Sequence, residues 1–276
     1  MNRGTLIAAL IAVLAVGGGW YWYRQHQAPP EEAVEEPPVA EVTPQATGGE
    51  APPDAIQHPI EPSEGADVPA LPPVGESDAP LTEDLAHLAG KSTVLTWLVP
   101  DAVVRRFVAT VDNLPRNYLA ERSRVLRGAS GPFAVERTTL DAASGEERIV
   151  MATSNAARYD AAVAALQALD MQQVAALYRR WYPLFQQAYE DLGYPGRYFN
   201  DRVVAVIDHL LETPAPAGPL ELVQPKVLYE YADPSVESRS AGQKLLIRMG
   251  PEHAAVVKAQ LTQLRAAIAN DINHKE

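Results

Sequence analysis

The chain has 276 residues, with 23 basic and 35 acidic side chains, six histidines, no cysteine and a formal net charge of −12. The lack of cysteine excludes a disulfide scaffold, a thiolate nucleophile and any Cys-ligated zinc or iron–sulfur centre. Residues 1–80 hold twelve acidic side chains against Arg3 and Arg24, whereas residues 81–276 hold 23 acidic against 21 basic, so this larger part has no concentrated positive field for nucleic acid.

Residues 1–24 predict a membrane anchor. Residues 6–16 are continuously apolar, and Gly17, Gly18 and Gly19 lead to Trp20, Tyr21, Trp22 and Tyr23. The uncharged run of 18 residues spans roughly 27 Å as a helix, near the short end of a bilayer crossing. Trp and Tyr favour the headgroup level, so residues 20–23 read as an interfacial belt. A cleaved signal peptide competes, with Ala15, Val16 and Gly17 as a small-residue site. The bulky aromatic cluster directly after the apolar run favours the anchor. One arginine flanks each side, and the free amino terminus adds positive charge to the short side. The expected orientation is a single pass through a bacterial inner membrane, with the remainder periplasmic.

Residues 25–80 contain 13 of the 24 prolines, scattered glutamates and no Phe, Tyr or Trp. Such a composition buries too little apolar surface to offset chain entropy and predicts a disordered linker. Its like charges and prolines favour extension, to about 170 Å at the limit.

Residues 81–276 read as one domain. Helices are expected at 81–90, at 92–98 and from Pro100 to about Val111, the last with Asp101 as N-cap. Asp112, Asn113, Leu114 and Pro115 form a stop signal. Alternation near 133–152 around Ser144 and Gly145 predicts a hairpin. A helix follows from Ser154 to Leu169, and Asp170 caps the next. In that helix Tyr178, Tyr182, Phe185, Tyr189 and Leu192 share one face, and Pro183 predicts a kink or break. Further helices are expected from about Tyr198 to Glu212, from Ala241 to Met249 and from Pro251, with a strand near 226–231. The fold class is α-rich α+β.

No catalytic, cofactor-binding or metal-binding signature stands out. Asp208 and His209 are adjacent but point about 100° apart on a helix, so they form no dyad alone. Asp201, Asp208 and Glu212 share a face; the seven-residue spacing places carboxylates about 10 Å apart, long for a glycosidase pair. No histidine has an i, i+4 partner for a helical zinc pair. Eight of the 19 aromatic residues lie between Tyr178 and Phe199. Aromatics at helical spacing usually pack in a core. The functional alternative is an aromatic groove for a peptide, glycan or lipid, formed by Tyr182, Tyr189, Tyr194, Arg197, Tyr198 and Arg202. Arg179, Arg180, Arg197 and Arg202 read as a solvated face or as partners of Glu190, Asp191 and Asp201.

Asp112 to Arg116, Tyr182 to Tyr189, Leu192 to Pro195, Tyr198 to Arg202, Ile207 to Leu211 and Ser240 to Leu246 together resemble a bacterial family known as domain of unknown function 3014. The likeness spans about residues 70–270. It implies an N-terminal membrane segment with a Pro-rich linker, and it carries no catalytic residues. The expected role is non-enzymatic: the lipid bilayer holds residues 6–23, and the head binds an envelope protein or cell-wall partner without a cofactor. The alternatives are an envelope hydrolase whose site assembles only in tertiary structure, and a membrane adaptor facing the cytoplasm.

Overall fold

A computed structural model describes residues 55–60, 70–89, 96–129, 131–141 and 145–269. The expected span at 6–23, with Trp20, Tyr21, Trp22 and Tyr23, lies outside the described residues. Among the described residues no helix is long and apolar enough to cross a membrane.

Helix α1 (Asp78–Ala89) precedes α2 (Val103–Asn113), α3 (Asp160–Gln167), α4 (Met171–Asp191) and α5 (Phe199–Leu211). The short α6 (Pro234–Glu237), α7 (Ala241–Arg248) and α8 (Gly250–Ile268) complete the helical part. Helix α8 packs on α3, α4, α5 and α7, while α2 packs on α4 and α5. One large apolar cluster fills the space between them, with Trp181, Tyr159, Phe199 and Leu85 among its fully buried members. Strands β1 (Val135–Asp141), β2 (Glu146–Met151), β3 (Glu221–Val223) and β4 (Glu230–Tyr231) form an antiparallel sheet in chain order. A second, smaller cluster of Leu222, Tyr231, Val236 and Ile247 lies beneath it. The architecture is α+β, rich in helix.

Several expectations change. The head begins before residue 81: Val74–Glu76 form a 3-10 turn, Leu71 and Val74 pack against the main cluster, and Ser77 is buried. Residues 55–60, also assigned to the linker, lie on the head and bury Ile60. Average composition does not register two or three well-placed apolar side chains. The helix expected at 92–98 is not seen where the chain is described: Thr96 and Trp97 turn, and Leu98 bridges to Leu126.

Asp101 does not cap α2. Ala102 occupies the N-cap position at φ 52°, a left-handed conformation that costs a β-carbon-bearing residue energy. The Asp78 carboxylate, at the start of α1, accepts the Ala102 and Val103 amides at 2.8 Å each and holds that conformation. Asp101 instead faces Arg106 from an exposed position.

Helix α4 runs unbroken through Pro183. Tyr178, Trp181 and Tyr182 before the proline, and Leu184 and Phe185 after it, are all buried, so packing on both sides holds the helical path. Asp170 caps α4 as expected, accepting the Gln172 amide, and those bonds lower its carboxyl pKa. The segment expected as one helix from Ser154 splits into a 3-10 stretch, Thr153–Tyr159, and α3.

The hairpin forms with Val135 opposite Met151 and an irregularity between Thr139 and Asp141. The strand expected at 226–231 shrinks to Glu230 and Tyr231, because the chain reverses after Gln224 and Pro225 to pair β4 with the unforeseen β3. Gly242 lets α7 approach closely: its amide donates to the Leu114 carbonyl at 2.9 Å, and a β-carbon there would lie 2.6 Å from Leu210 Cδ2 and 3.2 Å from that carbonyl oxygen.

Candidate functional site

One network of polar groups converges at the N-terminal end of α5. Tyr198 precedes the helix and offers no side-chain cap. The orphan amides are met from α4 instead. Gln186 Oε1 accepts the Phe199 amide at 2.8 Å, and Tyr182 Oη accepts the Asn200 amide at 3.2 Å. Tyr182 Oη donates in turn to Gln186 Oε1, and Gln186 Nε2 donates to the Arg197 carbonyl. Burial raises the pKa of both Tyr182 and the enclosed Tyr178, so both stay protonated.

Asn200 joins three parts of the chain. Its Oδ1 accepts Tyr178 Oη at 3.1 Å, and its Nδ2 donates to the Ile268 carbonyl of α8 at 3.0 Å and to the His58 carbonyl at 2.8 Å. Asp201 follows it. Its two carboxylate oxygens accept the Gln57 amide at 3.0 Å and the His58 amide at 2.7 Å. Tyr198 Oη accepts the Ile60 amide at 2.7 Å. This corner of the helix therefore holds main chain that bends at Gln57 and His58, by four hydrogen bonds.

Beside it lies an ion cluster. Asp112, with a side chain only 3 % exposed at the end of α2, accepts Arg116 Nη2 at 2.7 Å, Arg202 Nε at 3.0 Å and Tyr194 Oη at 3.1 Å. Arg202 also donates to the Asp112 carbonyl. The Asp112 carboxylate raises the Arg116 pKa further, so the guanidinium stays charged.

The expected aromatic groove divides. Tyr182 and Tyr189 are buried core residues, as the ring contacts of Tyr189 with Tyr194 (4.6 Å) and Phe199 (5.2 Å) require. Their faces are covered by other rings, which corrects their placement on a surface. Tyr194, Tyr198 and Arg202 are half-buried at the rim, and Arg197 is exposed. Arg202 pairs with Asp112, and Arg180 pairs with Asp84 rather than with an acid of its own segment. Arg179 donates to the Ala267 carbonyl.

The C-terminal end of α5 is committed differently. Asp208 forms a two-point ion pair with Arg265 of α8, one arm at 3.0 Å. His209 Nε2 lies 2.8 Å from Ser240 Oγ, the N-cap of α7, which also accepts the Gln243 amide. Gln243 Nε2 closes the ring by donating to the His209 carbonyl. Burial lowers the His209 pKa, favouring the neutral imidazole. Asp208 and His209 thus do not converge. Among the described residues no cluster of three or more His, Asp and Glu side chains is placed to hold a metal ion.

A cleft of about 490 Å³, unforeseen from the sequence, opens between the Pro-rich loop at 213–219, the end of β2 and the α7–α8 junction. Met151, Pro214, Leu246 and Met249 line it. Its polar wall is engaged: His253 contacts the Met249 carbonyl and Asp160, and Lys258 donates to the Thr213 carbonyl. The prolines were legible as a loop, but their enclosure of a cleft depends on long-range packing.

The model of a family described as a protein of unknown function (DUF3014) matches residues 103–265. No curated protein and no solved structure matches the chain.

Proposed function

We propose, for a chain that belongs to the DUF3014 family, a membrane-tethered and non-enzymatic role in the bacterial envelope. Residues 6–23 anchor it in the inner membrane and the Pro/Glu-rich stretch spaces the head from the bilayer. The head, on the periplasmic side, binds an envelope protein or cell-wall partner. One observation carries the reading of the head as a binding module: the start of α5 presents a carboxylate, a carboxamide and a phenol that hold the main chain of a segment distant in sequence. The ionisable groups at the other end of the helix support the same reading, since Asp208 and His209 join elements of the fold.

Two measurements test it on the full chain. A reporter enzyme active only outside the cytoplasm, fused to the C-terminus, is expected to be active; activity of a cytosolic reporter instead would reverse the orientation and favour the adaptor. Purified folded protein is expected to retain an envelope component from solubilised membranes and wall fragments. Recovery of none would remove the binding role.

A further inference from the structure

We infer that the Tyr198–Asn200–Asp201 corner is a binding site for a peptide with a bent main chain, closed in cis by the chain's own residues 55–60, which bend at Gln57 and His58. The bound segment defines the ligand class. Two successive amides, Gln57 and His58, donate to the two oxygens of Asp201. The next residue is Pro59, which has no N–H to satisfy. The Ile60 amide then meets Tyr198 Oη, and its side chain enters the main apolar cluster. The His58 carbonyl receives Asn200 Nδ2. The site therefore reads main chain, with a proline tolerated at one position and a β-branched aliphatic residue required at the next. An envelope polypeptide with that pattern, two donor amides, a proline and then Ile or Val, is the expected partner.

The contact is built to be exchangeable. The side chains of Ala55, Ile56 and Gln57 are exposed, His58 and Pro59 are half-buried, and Ile60 is the one buried residue of the segment. Four main-chain hydrogen bonds, the Ile60 side chain and the half-buried His58 and Pro59 oppose the entropy of ordering six residues, which is a cost of comparable size. Only the nine residues 61–69 separate the segment from residue 70, so its effective concentration at the site is high. A trans peptide must outcompete it, and its apparent affinity falls with the fraction of open site.

This inference rests on the reading of the head as a binding module. The probe is a fluorescent synthetic peptide with the sequence of residues 53–62, titrated into the full chain. Ile60→Asp expels the cis segment without touching the site and is expected to tighten peptide binding by about ten-fold or more. Adding Asp201→Ala to that variant should abolish the binding. A folded Ile60→Asp chain that binds no better than the parent overturns the inference; if it still retains an envelope component, the binding role stands by another surface. Amide exchange on the unaltered chain gives an independent reading. The Gln57, His58 and Ile60 amides are expected to exchange through a local opening, well ahead of Val203 in α5. Exchange only together with Val203 would make the segment a fixed part of the core and overturn the inference, as would a concentration-dependent dimer in which one copy's segment fills the other's site.

Discussion

The two ends of α5 carry similar side chains put to different uses. Asp201 and Asp208 stand two turns apart on one face. Asp208 meets a guanidinium on α8, so its partner belongs to a long helix of the same bundle. Asp201 meets two main-chain amides of a Pro-rich segment distant in sequence. Beside Asp208, His209 binds the cap of α7. Beside Asp201, Asn200 binds α8 with one hydrogen and the Pro-rich segment with the other. Residue type does not separate a joint between helices from the proposed binding corner; the origin of the partner does.

The largest expected effect tests whether the proposed binding end rests on a rigid base. Tyr189 packs between Phe199, the first residue of α5, and Tyr194. Tyr189→Ala should lower stability by roughly 3 kcal/mol or more, read from chemical denaturation, because it leaves a cavity under the helix start. A melting curve that barely moves would place Tyr189 on a groove wall. Asp112→Ala comes next. It removes the acceptor shared by Arg116, Arg202 and Tyr194. The expected loss is about 2–3 kcal/mol, below the cost for a fully buried pair because Arg116 is half exposed and regains water. A loss within 0.5 kcal/mol, or roughly the noise of surface changes, would show that the cluster does not hold this end. At the other end, Asp208→Asn should cost at most about 1 kcal/mol, since both partners are partly solvated. A larger loss would make the Asp208–Arg265 pair a principal clamp between α5 and α8.

Much of this contrast was hidden in the sequence, and for identifiable reasons. Helical spacing gave the aromatic face of α4 from Tyr178 to Tyr189 and its Asp170 cap, because those signals lie within one helix; Leu192, expected on the same face, lies past the helix end and is exposed. Alternation gave the hairpin. The caps of α2 and α5 were not legible, since Asp78 stands 24 residues before Ala102 and Gln186 stands 13 before Phe199. Residues 55–60 were assigned to the linker because Pro and acidic content dominate a window average. The segment's hold on α5 depends on main-chain amides, which any sequence supplies, and on one isoleucine. The aromatic surface was half legible: the periodicity fits either a core or a groove, and only neighbouring rings decide that Tyr182 and Tyr189 are inside while Tyr194 and Tyr198 form the rim.

The smallest effect is a pH dependence confined to the joint end of α5. Burial holds the His209 pKa below the value of about 6.5 that it has in an unfolded chain. The neutral imidazole is therefore favoured in the fold. As pH falls through about 6.5 the unfolded chain takes up this proton first, so unfolding is favoured progressively until the folded pKa is also passed. The contribution of His209 is thus fully present above pH ~6.5 and disappears below it. Glu212 raises this pKa while Arg202, in the first turn of α5, and Arg239, just before α7, lower it, so the slope also senses charges beyond the end of the helix that carries His209. His209→Gln, compared with the parent by denaturation at neutral and mildly acidic pH, should flatten that part of the curve while leaving the amide protection of residues 57–60 unchanged. Equal slopes in parent and variant would remove His209 as the titrating group. A simultaneous loss of protection at Gln57 and His58 would mean that the two ends of α5 act as one unit, and the division between joint and binding corner would fail.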